Sequence, residues 1–340
     1  MHYFVFISIL SDEKKIKGLL FGMIAAIITG FEPIIVLGWK YAINISGYPE
    51  IYQISALYLF SGMTCVFEAL FFLPIMFIDR KRIKNNEIGG FMSNKTAESL
   101  LYGWKNKKVI LIQVGLTFGI GQILYTTGYF YAGSINGAIA QKSTVIFSLL
   151  FGYLIMKEKI SNLQILFSLF LLFGLIFTVT KGSFNLIEFN IGALLLLILA
   201  FFWTYSHALT KKYLLDPNNS TASQIVFIRN AIGAVILTST FLLFFFPTIP
   251  FMFKDPINLI FYVLMGIVYS TGLYFWYKTL SYLDASKATI LVSPTPIITA
   301  IFSVFILGEQ FTIFHLIGSL IVIFSIIMIV REPKKREKKM

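Results

Sequence analysis

The chain is poor in charged residues, and this scarcity narrows its structural class before any motif is considered. Only 13% of its 340 residues are charged, whereas 57% are hydrophobic, and the mean hydropathy is +0.80. A water-soluble domain does not need so much apolar surface. Apolar runs of about 20 residues are instead typical of helices that cross a bilayer. The composition therefore predicts an all-α integral membrane protein.

Cysteine and histidine are also scarce, which excludes several kinds of site. The single cysteine, Cys65, lies inside an apolar run, so no intramolecular disulfide is possible and no thiolate metal site is indicated. No cluster of His, Cys and carboxylate residues has metal-ligand spacing. No glycine-rich phosphate loop followed by Lys and Ser or Thr is present. We therefore expect no metal, no cofactor, no ATP-driven step and no enzyme activity.

Acidic residues are fewer than basic ones, 16 against 28, and the position of the basic residues decides what this excess means. They lie in short segments between apolar runs, which argues against nucleic acid as a partner. With a cytoplasmic N-terminus, nearly all of them fall on the cytoplasmic side, and only Lys40, Lys181 and Lys254 fall on the other. By the positive-inside rule both termini are then cytoplasmic. The cell membrane is the expected location, because no retention signal is present.

Ten membrane spans are predicted along the chain. They cover residues 18–38, 55–78, 109–131, 137–156, 163–180, 191–212, 222–246, 256–278, 285–307 and 311–330. Residues 1–17 are expected to be a cytoplasmic N-terminus, 79–108 a polar cytoplasmic loop that is mobile or partly helical, and 331–340 a basic cytoplasmic tail. The two remaining blocks, 18–180 and 181–330, hold five spans each.

These two blocks carry the same pattern, which indicates an internal duplication. Glu309 lies between the last two apolar runs of the second block, and Glu158 has the same place in the first. Tyr125 opens a Tyr-Thr-Thr-Gly motif in the third span, and Tyr269 opens Tyr-Ser-Thr-Gly in the eighth. Because each block has an odd number of spans, the blocks must enter the membrane in opposite directions. This predicts two inverted five-helix repeats with a substrate site between them near the midplane.

Prolines and a glycine mark structural positions within the predicted spans. Pro294 and Pro296 lie near the start of the ninth span and are expected to form a hinge or a fixed kink. Pro33 follows Glu32 in the first span and frees a backbone carbonyl one turn earlier. Gly318 in the tenth span is a further structural candidate.

Two carboxylates and a histidine lie at predicted helix starts. Glu158 and Glu309 open the helices that follow them, where a carboxylate suits the helix dipole, so we expect both to cap those helices. His315 lies at a span end and is expected at the membrane surface.

Three short motifs surround the last two spans. They are Ala-Ser-Lys-Ala at 285–288 leading to Ser293-Pro294, Leu-Gly-Glu at 307–309, and Leu-Ile-Gly at 316–318, with first-block counterparts at 140–143 and 157–159. In these motifs the chain resembles the drug/metabolite transporter superfamily, specifically its EamA-domain transporters with two EamA repeats. The first block departs from the pattern, since Ser143 stands where the second has Pro294 and the connection from the third to the fourth span is shorter. The resemblance implies a secondary transporter that moves a small, often amino-acid-like metabolite out of the cytoplasm.

Ionisable residues inside the spans are candidates for the site, because a charge in hydrocarbon costs roughly 2.5–3.5 kcal/mol on insertion scales. The candidates for binding substrate or protons are Glu32, Glu68, Lys142, His207, Arg229, Tyr125 and Tyr269. Glu32 and Lys142 lie at matched depth with opposite charge, which allows an ion pair. Glu68 either faces the cavity or bonds a neighbouring helix. The other charged candidates either serve the pathway or reach the nearer membrane surface.

Three functions remain open from these residues. The first is a proton-coupled exporter in which Glu68 or Glu32 carries the proton, because a buried carboxyl group can exchange a proton near neutral pH. The second is an exchanger of nucleotide sugars or phosphorylated metabolites, with Lys142, Arg229 and His207 binding the anionic part. The third is a membrane scaffold without transport, in which the charged side chains join helices. An intramembrane enzyme has least support, since no nucleophile–base pair is visible.

Overall fold

Helices account for almost all of the described structure. The computed structural model describes residues 13–84, 102–157, 160–184, 190–215, 220–252, 255–283, 285–292 and 294–331. Within these ranges the chain forms thirteen α-helices and three short 3₁₀ turns, and it forms no strand. The all-α class predicted from the composition is confirmed.

The first half of the chain supplies six helices. They are α1 (Glu13–Ala42), α2 (Glu50–Lys84), α3 (Tyr102–Ala132), α4 (Ser134–Ala140), α5 (Thr144–Met156) and α6 (Asn162–Val179). Helix α1 passes through Pro33 as one helix. Both ends of the predicted loop 79–108 are helical, because α2 continues to Lys84 and α3 begins at Tyr102. Glu158 lies outside the described residues.

The second half supplies seven helices. They are α7 (Ile191–Tyr213), α8 (Ala222–Phe244), α9 (Ile249–Met252), α10 (Ile257–Tyr282), α11 (Ala285–Leu291), α12 (Thr295–Leu307) and α13 (Ile313–Arg331). In the described ranges, seven helical segments are long and apolar enough to cross a bilayer, with α4 and α5 counted together. Helices α6, α12 and α13 are apolar but shorter. The count of ten spans therefore stays a prediction.

Two predicted spans are each divided into two helices. The fourth is interrupted by the 3₁₀ turn Gln141–Ser143, and the ninth between the end of α11 at Leu291 and the start of α12 at Thr295. Pro294 is the N-cap of α12 and Pro296 lies in its first turn, where a missing N–H removes no helical hydrogen bond. The interruption therefore adjoins Pro294 and Pro296, where the sequence predicted a hinge or a fixed kink.

The two divided segments have the same layout. Helices α4 and α11 have 7 residues each, and α5 and α12 have 13 each. Both α5 and α12 end at a residue in the left-handed conformation, Lys157 and Gly308. This layout makes Ser143 equivalent to Pro294, as expected. It makes 140–143 equivalent to 291–294, so the sequence match of 140–143 with 285–288 is wrong. The physical reason is that the second half has its extra residues before this segment.

Those extra residues lengthen a helix. After Gly128 of the repeated motif, α3 continues only to Ala132, whereas after Gly272 α10 continues to Tyr282. Helix α4 then begins after the single residue Gly133, whose φ of +81° favours glycine. The shorter connection predicted between the third and fourth spans is therefore chiefly a shorter helix.

The helices of each half pack mainly against the other half. Helix α1 packs along α10, and α3 packs along α7. Helix α2 packs on α8, and α6 packs on α13. Helix α5 packs on α7, and α12 packs on α1. If each helix is replaced by its equivalent in the other half, the α1–α10 contact becomes α7–α3 and the α5–α7 contact becomes α12–α1. The α2–α8 and α6–α13 contacts stay the same. This is the pattern of a bundle with two-fold pseudosymmetry.

Gly318 lies where α13 crosses α6. A Cβ atom at position 318 would lie 2.9 Å from the carbonyl oxygen of Gly174 and would also collide with Thr178. A Cβ atom at position 174 would lie 2.9 Å from Cγ2 of Ile321. Glycine at both positions is what allows these two helices to approach so closely.

We expect Gly318→Ala to lower the free energy of unfolding by about 1–3 kcal/mol, the usual cost of overpacking a close contact. The measurement is the melting temperature of the detergent-solubilised protein. Gly47→Ala is the matched control, because its added Cβ would come no closer than 3.4 Å to a neighbouring side chain. An unchanged melting temperature for Gly318→Ala would contradict the close crossing.

Candidate functional site

A cavity of about 160 Å³ lies between the two halves. Its walls come from α1, α5, α7, α10 and α11, from both helix breaks and from the first residue of α12, and Arg229 reaches it from α8. Glu32 and Lys142 lie at one limit of its lining, because no described residue of 134–140 and none of 296–307 lines it. It extends from there to the end of the bundle at which α5 ends and α11 begins, where Met156 and Ala285 line it. We call this the open end.

Glu32 presents a carboxylate to the cavity from α1. The hydroxyl of Tyr125 donates a hydrogen bond of 2.9 Å to Oε2 of Glu32. The Tyr125 ring is stacked on Trp203 and meets Tyr269 edge-on. Tyr125 is thus enclosed by aromatic rings and lies behind the cavity wall. Of the two repeated tyrosines predicted for the site, Tyr269 lines the cavity and Tyr125 orients a residue that does.

Lys142 joins the two helix breaks. It lies in the 3₁₀ turn between α4 and α5, and its Nζ donates to the carbonyl oxygen of Val292 at 2.6 Å. That carbonyl lies in the other break, after the last residue of α11. Glu32 accepts from Tyr125 and Lys142 donates to a backbone carbonyl, but the two side chains stay close enough for their opposite charges to attract, as the sequence allowed. Both side chains still line the same cavity.

Arg229 is a buried cation at the cavity wall. Its Nε donates to Oδ1 of Asn230 at 3.0 Å. Its two terminal nitrogens donate to the hydroxyls of Tyr277 and Tyr269, at 3.4 Å each. The guanidinium carbon lies 3.8 Å from the centre of the Phe118 ring, a cation–π contact. These contacts hold Arg229 inside the bundle, whereas anchoring at the membrane surface would require an extended, outward side chain.

Glu68 lies behind Arg229 and is not among the residues that line the cavity. It is fully buried, and the side chain of Asn230 on α8 interacts with its carboxylate by a hydrogen bond that is too long or too bent to be a strong one. Glu68 is close enough to Arg229 for their charges to attract. Of its two predicted surroundings, the helix interface is therefore the one found.

Aromatic side chains form much of the remaining wall. His207 accepts a hydrogen bond of 3.3 Å from Nε1 of Trp276, and its ring lies against Phe118 and Tyr277. His207 and Trp276 line the cavity. The predicted candidate His207 is thus a wall residue fixed by neighbouring rings.

Thr29 and Trp203 are among the wall residues that were not predicted for the site. They are equivalent in the duplication, because aligning Gly18 with Gly192 places Thr29 on Trp203. The alignment of these two positions in the duplicated halves was the sequence signal that could have placed both of them in a shared site. Gly121 of α3 leaves the space occupied by the Trp203 ring nitrogen.

The end of the bundle opposite the open end is held by hydrogen bonds around Glu309. Its Oε1 accepts from the backbone N–H of Ser134 at 3.0 Å. Its Oε2 accepts from the Ser134 hydroxyl at 2.7 Å and from the backbone N–H of Ile135 at 3.3 Å. The Ser134 hydroxyl also bonds that of Ser303. Glu309 was expected to cap the helix that follows it, but it bonds the start of α4.

The start of α13 is occupied by other residues, which explains this difference. Nδ1 of His315 accepts from the backbone N–H of Thr312 at 3.0 Å, and the His315 N–H lies 3.4 Å from the Thr312 hydroxyl. Ser161 and Gln164 form the same reciprocal capping pair at the start of α6. His315 is buried, and its Nε2 lies 3.1 Å from Oδ1 of Asn136. Its side chain is therefore packed between helices at the start of α13, and its position at the membrane surface stays a prediction.

Known proteins resemble the chain over most of its length. The model of the EamA-like transporter family matches it twice, at residues 16–180 and 190–331. An uncharacterized transporter of Methanothermobacter thermautotrophicus is 25% identical over 229 residues, which are 65% of this chain. That match spans 64% of the archaeal protein, slightly less than two thirds of its length.

Two bacterial relatives and one solved structure extend the comparison. The uncharacterized transporter YoaV of Bacillus subtilis is 23% identical over 275 residues, covering 79% of this chain and 86% of its own. The uncharacterized transporter YyaM of the same organism is 20% identical over 239 residues, covering 68% and 75%. A crystal structure with 12% sequence identity shares the fold, with a TM-score of 0.55 over 92% of this chain and 97% of that chain.

The family match and the long apolar helices agree with each other. Together they identify a multi-pass membrane protein. The family and the relatives are named as transporters and not as enzymes. Because the family model matches both halves, the chain belongs to the EamA-like transporter family.

Proposed function

We propose that the protein is a secondary transporter that moves a small amino-acid-like or drug-like metabolite by alternating access, as a proton-coupled exporter. The observation that carries the proposal is the cavity, where one carboxylate and two cations line the same space. Charges inside a membrane bundle are costly and are typical of substrate and ion pathways. A scaffold that only joins helices would have no reason to direct them into a cavity.

We infer that the architecture is the predicted one, with ten spans in two inverted repeats at 18–180 and 181–330. The pairing of helices between halves supports it, because an inverted repeat requires each contact to have an exchanged counterpart. The helix breaks at the limit of the cavity that holds Glu32 and Lys142 are also typical of such transporters. With both termini cytoplasmic in the cell membrane, as the basic residues predict, the open end faces the cytoplasm. An exporter would load its substrate there.

The charges on the wall suit a substrate that carries both signs. Glu32 can bind an ammonium group, and Arg229 and Lys142 can bind a carboxylate. The rings of Trp203 and Trp276, which line the cavity, offer contact to an apolar or aromatic part. An amino acid has these three features in a small volume.

Proton coupling would use the same carboxylate. An ammonium group and a proton compete for Glu32, because either one neutralises its charge. A substrate leaving Glu32 on one side of the membrane is then replaced by a proton that travels back. Glu32 is favoured over Glu68 as the carrier, since only Glu32 lines the cavity.

Exchange of nucleotide sugars or phosphorylated metabolites is the second candidate. Two cations at one cavity favour an anionic group. The size argues against the larger of these substrates, because pockets for drug-sized ligands usually measure about 300–1,000 Å³. The present cavity, of about 160 Å³, is closer in scale to an amino acid or a small phosphate ester.

Thermal stabilisation against a panel of metabolites tests these alternatives. A ligand at 100 times its dissociation constant stabilises the folded protein by about 2.7 kcal/mol. We expect a zwitterionic amino acid to raise the melting temperature of the wild type. It should do the same for the control Gln310→Ala, because Gln310 is exposed and lies at the end of the bundle opposite the open end. Glu32→Gln should show a smaller effect at the same ligand concentration, because glutamine offers the ammonium group only a neutral hydrogen bond. Stabilisation by phosphate esters alone would favour the exchanger, and none across the panel would favour the scaffold.

A further inference from the structure

We propose that Glu309, Ser134 and Ser303 form a latch that keeps one end of the bundle closed while the cavity is open at the other. The proposal rests on the alternating access proposed above and assigns the residues that have to separate during it. We call the end with these residues the latched end.

The latch joins the two halves. Ser134 begins α4 in the first half, whereas Ser303 lies on α12 and Glu309 in the connection to α13 in the second. One carboxylate accepts from three donors there, two of them backbone N–H groups. Both serines are fully buried, so water does not replace these bonds in the closed arrangement. Hydrogen bonds to a charged group are stronger than those between neutral groups.

The helices that carry the latch separate the cavity from the latched end. Helix α4 ends at the break that holds Lys142, and α12 begins just after the break that holds Val292. From this limit of the cavity both helices run to the latched end, and they pack against each other. Opening the cavity toward that end therefore requires α4 and α12 to move apart, which breaks the bonds of the latch.

The equivalent residues at the open end cannot form the same hydroxyl pair. The shared layout of the divided segments makes Ala285 equivalent to Ser134, and Gly152 equivalent to Ser303. Both line the open part of the cavity. Neither has a hydroxyl group, so this pair of bonds is available at the latched end and has no counterpart at the open end. The difference between the halves favours the arrangement in which the latched end is closed.

Thiol accessibility in proteoliposomes of the full-length protein tests the latch. Cys65 is the only cysteine of the chain and is buried, so Cys65→Ala gives a silent background. Thr29→Cys places a reporter on the cavity wall. Gln310→Cys and Ser281→Cys, at exposed positions of the latched and open ends, show which side a membrane-impermeant maleimide has reached.

With the latch intact, the reporter should react from the open side and only slowly from the latched side. Glu309→Gln and Ser303→Ala should each raise the latched-side rate by about tenfold, which corresponds to about 1.4 kcal/mol. In Glu309→Gln the side chain keeps its size, but an NH2 donor replaces one of the two carboxylate oxygens that accept hydrogen bonds. Gln310→Ala, next to Glu309 in sequence, should leave the rate unchanged. The double variant Gly152→Ser/Ala285→Ser should lower the open-side rate.

Unchanged latched-side rates in both Glu309→Gln and Ser303→Ala, with the melting temperature preserved, would overturn the latch. Ser303→Ala removes one hydroxyl only and is the variant that keeps the test valid if Glu309→Gln fails to fold. Accessibility needs no substrate, so the two proposals can fail separately. Altered labelling without transport of any metabolite would reject the transporter and keep the latch, whereas transport with unaltered labelling would reject the latch alone.

Discussion

Glu32→Gln is expected to abolish the dependence of transport on a pH gradient. Glutamine keeps the size of the side chain and can still accept the hydrogen bond from Tyr125, but it cannot take up a proton. A difference of one pH unit corresponds to about 1.4 kcal/mol per proton, enough to sustain about a tenfold substrate gradient. The wild type should therefore respond to such a gradient, and the variant should only equilibrate its substrate. The measurement is substrate flux in proteoliposomes with and without an imposed pH difference.

Glu68→Gln is the matched control for this variant. Glu68 is also a buried carboxyl group, yet it lies behind Arg229 and away from the cavity. We expect Glu68→Gln to keep its response to the pH gradient. Coupling that survives in Glu32→Gln and disappears in Glu68→Gln would move the proton to Glu68. Coupling that survives in the variant with both changes would reject carboxylate-based proton transport altogether.

Arg229→Lys is expected to weaken the binding of a carboxylate-bearing substrate by about 10- to 100-fold. Hydrogen bonds to charged groups contribute about 1.5–3 kcal/mol, and every 1.4 kcal/mol is a factor of ten. Lysine keeps the positive charge beside Glu68 but loses the planar fork that Tyr269 and Tyr277 hold in place. The measurement is the dissociation constant of the ligand found by thermal stabilisation. Binding within about twofold of the wild type would contradict a direct role for Arg229, since a lost charged hydrogen bond costs more.

A double variant separates binding from stability at this position. Removing Arg229 alone leaves Glu68 as a buried carboxylate without its countercharge, which destabilises the fold. Arg229→Gln/Glu68→Gln removes both charges, so we expect it to be more stable than Arg229→Gln. Substrate binding should remain lost in the double variant. Recovery of binding together with stability would show that Arg229 acts only through the fold.

The sequence was sufficient for the class of the fold and for its duplication. Both follow from features that need no three-dimensional information, namely long apolar runs and a pattern that recurs around Glu158 and Glu309. The break in the fourth span was not predictable in the same way. Ser143 occupies the place of Pro294 there, and serine does not interrupt a helix by its own geometry.

The orientation of side chains around each helix was the part that sequence reasoning could not supply. The long helices are apolar on nearly every side, because one face meets lipid and the other meets the protein core. Periodicity then does not show which face looks into the bundle. Glu32 and Glu68 were equivalent candidates for this reason, although only Glu32 lines the cavity. Glu309 was assigned to the adjacent helix because its partner Ser134 is distant in sequence.

The most direct test of the transporter proposal is pH-driven flux of zwitterionic amino acids in proteoliposomes of the purified full-length protein. We expect the wild type to move at least one amino acid against its gradient when protons flow the other way. We expect Glu32→Gln to equilibrate the same amino acid without accumulating it. Flux that ignores pH and depends on substrate on the opposite side would establish exchange in place of proton coupling. A folded protein that moves no member of the panel would contradict the account.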